Sequence, residues 1–126
     1  MSEPKTVAVV GASADPTKFG NRSLLAHQAC GYEVYPINPK GGEIEGAVVY
    51  RSILDAPIDR FVRVTMYVPP KVGLQLLDEI AQKGCDELWL NPGSESPEVV
   101  DRANQLGLNP IVACSLVDCQ NRGHEN

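Results

Sequence analysis

The sequence contains no long hydrophobic run and no cluster of basic residues. A membrane-spanning helix takes about 20 consecutive apolar residues, and none of the apolar stretches approaches that length, so we expect no membrane span. The chain has 11 Lys and Arg against 16 Asp and Glu, with a net charge of −5. Nucleic-acid-binding and membrane-surface proteins carry basic patches, so we expect neither partner. The polar residues Met1–Lys5 do not resemble a signal peptide, and we predict a cytoplasmic location.

Cysteine is scarce, and its spacing matches no metal site. The four cysteines are Cys30, Cys85, Cys114 and Cys119, with no C-x-x-C pair among them. We therefore predict free thiols, as is usual in a cytosolic protein, and no bound metal. Cys114 and Cys119 are close in sequence, which leaves a redox role for this pair as the weaker alternative.

Catalytic groupings are also missing from the sequence. No nucleophile–base pair, shared pair of carboxylates or metal cluster stands out. His27 lies in a predicted helix without a partner motif, and we interpret it as a surface or packing residue. The length of 126 residues, with 43% hydrophobic and 21% charged residues, fits one soluble globular domain over residues 1–126.

The stretch around which the rest of the chain is organised begins at a short apolar run. Thr6–Val10 is typical of a buried parallel strand, and Gly11 follows where a tight turn is needed. Gly20 opens the next helix, whose free N–H groups attract phosphate. The G-x-G-x-x-G fingerprint is incomplete, because Ser13 stands at the second glycine position and the loop is longer and carries Lys18. The loop predicts a phosphate-binding site, with a structural turn as the alternative.

The second strand, Glu33–Ile37, ends in a cation where dinucleotide enzymes place an acid. An Asp or Glu there accepts hydrogen bonds from the ribose 2′-hydroxyl of NAD. Here Asn38, Pro39 and Lys40 follow the strand. A cation suits a ribose that carries a phosphate, either the 3′-phosphate of coenzyme A or the 2′-phosphate of NADP. A solvated loop lysine is the alternative.

Strands alternate with helical patterns along the rest of the chain. The predicted elements are a helix Gly20–Ala29 with Leu24, Leu25 and Ala29 inside, an edge strand Ala47–Tyr50, a turn Ser52–Asp55, strands Arg60–Val68, Glu87–Leu90 and Pro110–Ala113, and helices Pro70–Lys83 and Pro97–Leu106, the last capped by Ser96. Arg63, inside its strand, must face a partner or water. The polar tail after Cys119 is expected to fray.

This alternation predicts a Rossmann-like, doubly wound α/β domain with a parallel sheet in the order 3-2-1-4-5-6. Ligands bind such sheets at the carboxyl edge, where the strand order reverses. The loops that meet there are Gly11–Gly20, Asn38–Lys40 and Val68–Pro70, with Asn91–Gly93 beside them. Their convergence predicts one nucleotide site.

Several motifs resemble the small stand-alone CoA-binding proteins, whose fold matches the N-terminal CoA-binding domain of the succinyl-CoA synthetase α subunit. The resemblance covers residues 5–115. It rests on Val9–Ser13, Gly31–Lys40, Ile44-x-Gly46, Val68–Pro70 and Trp89–Gly93, of which Gly31–Lys40 is the most specific.

The resemblance implies roles for these loops. The glycine loop would hold the pyrophosphate, the Asn-Pro-Lys turn would meet the 3′-phosphoadenosine, and the Val-Pro-Pro turn and the loop after the fifth strand would flank the adenine or the pantetheine arm. The implied binding residues are Gly11, Ala12, Ser13, Lys18, Phe19, Gly20, Asn38, Pro39, Lys40, Val68, Pro69, Pro70 and Asn91. Asn91 departs from the Gln of many relatives, and Arg60 and Arg63 interrupt a strand that is usually apolar.

We therefore favour non-catalytic binding of coenzyme A or an acyl-CoA. A small NADP-dependent oxidoreductase explains Lys40 equally well but leaves little room for a substrate domain. A CoA-binding subunit of a multi-chain acyl-CoA enzyme is a further reading, with a vacant nucleotide fold as the least specific one. The phosphorylated-histidine domain of the ligase α subunit is absent here, so ligase chemistry by this chain alone is not expected. We expect a homodimer or an unidentified partner protein beside the small-molecule ligand.

Overall fold

The structure is a computed structural model and describes residues 4–124. Its strands are β1 (Thr6–Val10), β2 (Glu33–Ile37), β3 (Glu43–Ile44), β4 (Ala47–Val48), β5 (Phe61–Met66), β6 (Cys85–Leu90) and β7 (Ile111–Val112), and its helices are α1 (Phe19–Ala29), α2 (Pro70–Lys83), α3 (Pro97–Gln105) and α4 (Ser115–His124). A parallel five-stranded sheet has the order β2-β1-β5-β6-β7. The predicted Rossmann-like α/β class is confirmed.

Strand β1 lies between β2 and β5 and is buried on both faces. Val7 and Val9 pack into a core with Leu24 of α1 and Cys119 of α4. Ala8 and Val10 face the opposite core, which α2 and α3 cover. Because successive side chains of a strand point to opposite faces, a continuous apolar run is what a strand between two helical layers requires.

The helix boundaries follow the predicted signals. Pro70 is the first residue of α2, where its missing N–H breaks no hydrogen bond. Gly84 ends that helix with φ +88°. At α3, the Ser96 side chain accepts a hydrogen bond from the Val99 N–H at 3.1 Å, and Pro97 comes first.

The predicted third strand is reduced to a single bridge, so the main sheet has five strands. Residues 47–50 were expected to lie along β2, but β4 pairs antiparallel with β3 instead. The turn between them places Glu45 at φ 49° and Gly46 at φ 79°. Two consecutive positive φ angles make a tight hairpin turn that reverses the chain. Within the predicted edge strand, only Tyr50 pairs with β2, through a parallel bridge to Ile37.

The chain after β7 forms α4, which continues to His124, so the prediction of a frayed tail after Cys119 is wrong for residues 120–124. Residues 125–126 lie outside the described residues. The prediction of four free thiols is also wrong, because Cys119 forms a disulfide with Cys30, with the two Cα atoms 6.2 Å apart. Cys85 and Cys114 are free thiols, as predicted. Cys114 and Cys119, the two cysteines for which a redox role was the weaker alternative, are not bonded to each other. The fold brings residues 30 and 119 together because α4 packs on α1.

The inner face of α1 is more polar than its pattern predicted. Leu24 is buried as expected, whereas Leu25 is 43% exposed, and Ala29 is exposed too. Asn21, Ser23 and His27 take the buried positions. Within residues 4–124, no helix combines the length and apolar character needed to cross a membrane.

Candidate functional site

Two adjoining cavities lie at the carboxyl edge of the sheet. The larger, of about 400 Å³, lies between the ends of β1 and β2, the start of α2 and the segment after β4. The smaller, of about 370 Å³, lies between the start of α1 and the loop after β6. Gly11, Val68 and Pro69 line both. Each volume is in the range of small-molecule sites, and their shared wall suits one long ligand that occupies both.

Gly11 lets the chain turn sharply at the end of β1. Its φ is +89°, and a Cβ there would lie 3.0 Å from the backbone of Tyr67 and from the Val68 side chain. Its N–H donates to the Ile37 carbonyl at 3.1 Å, so β1 and β2 end together. Only glycine allows both this conformation and this close approach.

Gly20 brings the start of α1 against the same loop. A Cβ on Gly20 would collide with the Gly11 carbonyl oxygen. The Lys18 side chain does not cap α1, and the described first turn contains no acidic residue. The uncapped N–H groups of a helix start carry a partial positive charge. Phe19 and Gly20 line the smaller cavity beside Lys18, which makes this end of the site suited to an anion.

The loop between Gly11 and α1 is held by its own side chains. Asp15 accepts hydrogen bonds from the Thr17 side chain at 2.7 Å and the Thr17 N–H at 2.9 Å. These bonds lower the pKa of Asp15 below its ordinary value. The Ser13 hydroxyl accepts from the Asp15 N–H at 3.0 Å, and the Ser13 carbonyl accepts from the Asn21 amide at 2.9 Å. Ser13 therefore shapes the loop, and it does not line either cavity.

Asn38 joins the end of β2 to the glycine loop. Its side-chain amide donates to the Ala12 carbonyl at 2.9 Å, and its Oδ1 accepts from the Lys40 N–H at 2.9 Å. Asn side chains commonly form such a turn by accepting a hydrogen bond from the backbone two residues further on. It sets the direction of the chain at Pro39 and Lys40, both of which line the larger cavity.

Arg51 is a second cation at the larger cavity, and the sequence analysis missed it. Its Nε lies 3.0 Å from the position that a Cβ of Gly41 would take. The side chain therefore packs over the turn that follows Lys40. The sequence could have identified Arg51, because it is a basic residue directly after the predicted edge strand. That position lies at the same edge of the sheet as Lys40. Lys40 and Arg51 therefore give the cavity wall two cations beside this turn.

Most of the remaining wall is apolar, with one acidic exception. The aliphatic lining consists of Val10, Ile37, Ile53, Val68, Val72, Leu76 and Ile80. Glu79 of α2 and Ser52 also line the cavity, and the Ser52 hydroxyl donates to Glu79 Oε1 at 2.7 Å. The cavity thus combines apolar walls with a few placed polar groups, as ligand sites commonly do.

The turn after β5 contributes residues to both cavities. Val68 and Pro69 line both, whereas Pro70 begins α2 and lines neither. The Ser94 hydroxyl lies within hydrogen-bond distance of two carbonyl oxygens, Val68 at 2.7 Å and Met66 at 3.1 Å. The loop after β6 is thereby attached to the end of β5.

Asn91 lies beneath the site and lines neither cavity. It is 1% exposed, and its amide donates to Thr65 Oγ1 and the Met66 carbonyl, each at 2.7 Å. Its Oδ1 accepts from the N–H and the hydroxyl of Ser115, each at 2.9 Å. Asn91 therefore connects β5 to the start of α4.

The fold brings most of the predicted site residues to the cavities. The larger cavity is lined by Gly11, Asn38, Pro39, Lys40, Val68 and Pro69, and the smaller by Gly11, Lys18, Phe19, Gly20, Val68 and Pro69. The other four predicted residues, Ala12, Ser13, Pro70 and Asn91, line neither cavity. Among the described residues, no three His, Cys, Asp or Glu side chains are placed to share a metal ion.

Comparison with known proteins assigns most of the chain to one family. Residues 5–120 match the family described as CoA binding domain. The chain is 45% identical over 90 residues to acetate–CoA ligase (ADP-forming) I subunit alpha from Pyrococcus furiosus, a match that covers 67% of this chain and 19% of that protein. The chain therefore spans about a fifth of the length of this relative.

Solved structures show the same architecture. A hypothetical protein from Pyrococcus horikoshii OT3 has a TM-score of 0.83 at 32% identity, covering 97% of this chain and 82% of that one. The dinucleotide-forming acetyl-coenzyme A synthetase 1 of Ca. Korarchaeum cryptofilum, in complex with phosphate and ADP, has a TM-score of 0.75 at 30% identity. That match covers 87% of this chain and 26% of the synthetase.

Proposed function

The chain belongs to the CoA-binding domain family, and from this membership we propose that it binds coenzyme A or an acyl-CoA at the carboxyl edge of its sheet. One observation carries the proposal. Lys40 and Arg51 line a largely apolar cavity that adjoins the uncapped start of α1. The cations suit the 3′-phosphate of coenzyme A, and the apolar wall suits its base. The start of α1, which attracts anions, suits its pyrophosphate.

The residues divide the proposed ligand between the two cavities. Lys40 and Arg51 would neutralise the 3′-phosphate, and the apolar wall would cover the adenine. The N–H groups at the start of α1 would meet the pyrophosphate, with Lys18 beside them. Phe19 and the Pro92–Ser94 segment, which line the smaller cavity, would flank the pantetheine arm. These groups bind and orient a ligand, so we propose a binding role without a reaction of the chain's own.

The first experiment is thermal unfolding with coenzyme A, dephospho-CoA, NADP and NAD in the same buffer. A ligand at a hundred times its dissociation constant adds about 2.7 kcal/mol to the free energy of unfolding, which raises Tm by several degrees. We expect coenzyme A to raise Tm more than dephospho-CoA does. A shift with NADP alone would replace this proposal with the oxidoreductase reading, and no shift with any ligand would contradict both.

Replacing Lys40 tests the role of the cations directly. A charge-assisted hydrogen bond is worth roughly 1.5–3 kcal/mol, so Lys40→Ala should weaken coenzyme A binding about 10- to 100-fold by calorimetry. Dephospho-CoA should bind the variant and the parent protein alike, because it lacks the 3′-phosphate. Lys71→Ala, which removes an exposed cation of α2 that lines neither cavity, is the matched control. An equal loss for both ligands would contradict this role of Lys40.

A second candidate function is the CoA-binding part of a multi-chain acyl-CoA enzyme. The observation in its favour is that the chain is similar to one-fifth of a ligase subunit. The test is whether material that co-purifies with the tagged chain forms acetyl-CoA and ADP from acetate, ATP and coenzyme A. Loss of this activity with the Lys40→Ala variant would support the candidate, and an unchanged activity would contradict it.

A further inference from the structure

Ser52 and Glu79 form an isolated polar pair in the wall of the larger cavity. Glu79 lies on the same face of α2 as Val72, Leu76 and Ile80, which supply apolar wall. The Ser52 hydroxyl donates to Glu79 Oε1 at 2.7 Å. A partly buried carboxylate in an apolar surface is costly unless its oxygens are hydrogen-bonded, so its presence in a ligand cavity calls for an explanation.

The hydrogen bonds of Ser52 fix which way this pair points. Ser52 caps the short helical turn Ile53–Asp55, and its Oγ accepts from the Leu54 N–H at 3.1 Å. The hydroxyl proton is therefore directed to Glu79. One carboxylate oxygen is occupied in this way. Within the described residues no side chain or backbone group donates to the other, Oε2.

The acidic pair and the cations line the same cavity from different elements. Arg51 extends over Gly41, next to Lys40 in the turn after β2, whereas Ser52 is directed to α2. A ligand in the cavity therefore meets cations beside the turn after β2 and an acceptor on α2. Adenosine 3′-phosphate has this polarity, because its phosphate is anionic and the base carries a 6-amino donor.

We propose that Glu79, held by Ser52, accepts a hydrogen bond from the 6-amino group of adenine and so selects adenine among purine bases. The inference rests on the proposed binding of coenzyme A and names the residue that reads the base. A base with an oxygen at position 6 would face the carboxylate with a second acceptor. The pair would therefore exclude guanine-type ligands as well as favour adenine.

The test compares coenzyme A with an analogue in which hydrogen replaces the 6-amino group. The phosphates and the pantetheine arm are identical in both, so the ratio of their dissociation constants isolates the amino group. For the parent protein we expect the analogue to bind roughly 10-fold more weakly, as loss of a charge-assisted hydrogen bond predicts. For Glu79→Leu, which keeps a side chain of similar length, we expect the ratio to fall to about 2 or less.

Asp78→Asn is the matched control, since it removes a negative charge from the neighbouring residue, whose carboxylate pairs with Arg102 of α3 outside the cavity. It should keep the parent ratio. Ser52→Ala should lower the ratio by freeing the carboxylate, and it serves as the second variant if Glu79→Leu does not fold. Equal binding of both ligands by the parent protein would overturn the inference and leave the coenzyme A proposal standing, as would an unchanged ratio in Glu79→Leu. Failure of the parent protein to bind coenzyme A would overturn both.

Discussion

Arg63 is a fully buried charge in the centre of the sheet. Its Nε donates to Glu87 at 2.9 Å, and its Nη2 donates to Asp118 at 3.0 Å. Its Nη1 lies 3.3 Å from His27 Nε2, and the guanidinium lies 4.6 Å from the centre of the Trp89 ring. A buried charge is tolerated only when its donors are matched in this way. Of the two predicted alternatives for Arg63, a partner or water, the structure shows partners.

His27 should make the stability of the fold depend on pH. Its Nδ1 lies 2.8 Å from the Ser23 carbonyl, which can only accept, and Arg63 can only donate. His27 is therefore neutral, with its proton on Nδ1. Burial lowers the pKa of His27 below its ordinary value of 6.5, and the charge of Arg63 lowers it further. The hydrogen bond to Ser23 and the charge of Asp118 raise the pKa, but they do not cancel the lowering.

Because this pKa is lowered in the folded state, the unfolded chain takes up a proton first as the pH falls. Stability from His27 is fully present above about pH 6.5 and is lost below it, by up to about 1.4 kcal/mol per pH unit. We expect a lower urea midpoint at pH 5.5 than at pH 7.5. His27→Gln should reduce this difference. A midpoint that rises on acidification would contradict the assignment.

Gly20→Ala should weaken ligand binding through the backbone. The new Cβ would collide with the Gly11 carbonyl, which forces α1 away from the glycine loop and costs about 1–3 kcal/mol of stability. We expect at least a tenfold loss of coenzyme A affinity by calorimetry. In the control, Gly73→Ala, the Cβ meets the end of the Met66 side chain at 3.1 Å. A flexible side chain can move, so the control should retain affinity, and equal behaviour of the two variants would contradict the argument.

At the scale of elements, α4 is attached to the sheet and to α1 at three points in the first half of its length. Ser115 at its start bonds to Asn91, Asp118 pairs with Arg63, and Cys119 is joined to Cys30 of α1. Asn91 and the Tyr67 hydroxyl, which lies 3.0 Å from Ser115 Oγ, connect α4 to the loops around the smaller cavity. The position of α4 therefore contributes to the shape of the site from behind.

Reduction of the disulfide should lower stability without unfolding the sheet. The bond closes a loop across 89 positions of sequence, and a native disulfide contributes typically about 2–4 kcal/mol. We expect dithiothreitol to lower the free energy of unfolding by this amount in urea titrations. The double variant Cys30→Ser, Cys119→Ser should not respond to the reductant.

Thiol titration in denaturant provides the independent check on the disulfide. Two thiols, Cys85 and Cys114, should react before reduction, and four should react after it. Four reactive thiols in the unreduced protein would contradict the disulfide. In the folded protein Cys85 should react slowly, because burial raises its pKa to about 11 and the thiolate is the reactive form.

At the scale of the whole molecule, protection against hydrogen exchange should decrease from the centre of the sheet outward. Strands β1 and β5 have a neighbour on each side and a core on each face, so their amides should exchange only on global unfolding. The β3–β4 hairpin and the short edge strand β7 should exchange at least roughly a hundredfold faster. Exchange mass spectrometry tests this order, and equal rates in β1 and β7 would contradict it.

The sequence by itself determined the features that short-range chemistry controls. The buried run Thr6–Val10, the Pro70 and Ser96–Pro97 helix starts and the Gly84 helix end each depend on neighbouring residues only. The glycine loop and Lys40 could be assigned to one edge of the sheet because parallel strands end together. For the same reason the Rossmann-like class was predictable before any coordinates.

Only the tertiary structure decided which distant residues meet. The Cys30–Cys119 bond, the burial of Arg63 between Glu87 and Asp118, and the pairing of Ser52 with Glu79 join segments whose separation carries no periodic signal. The predicted third strand of the main sheet is reduced to the Tyr50 bridge, because the turn at Glu45 and Gly46 pairs Ala47–Val48 with β3. Side-chain partners of this kind depend on how helices pack across a sheet, and that packing is fixed by the whole chain at once.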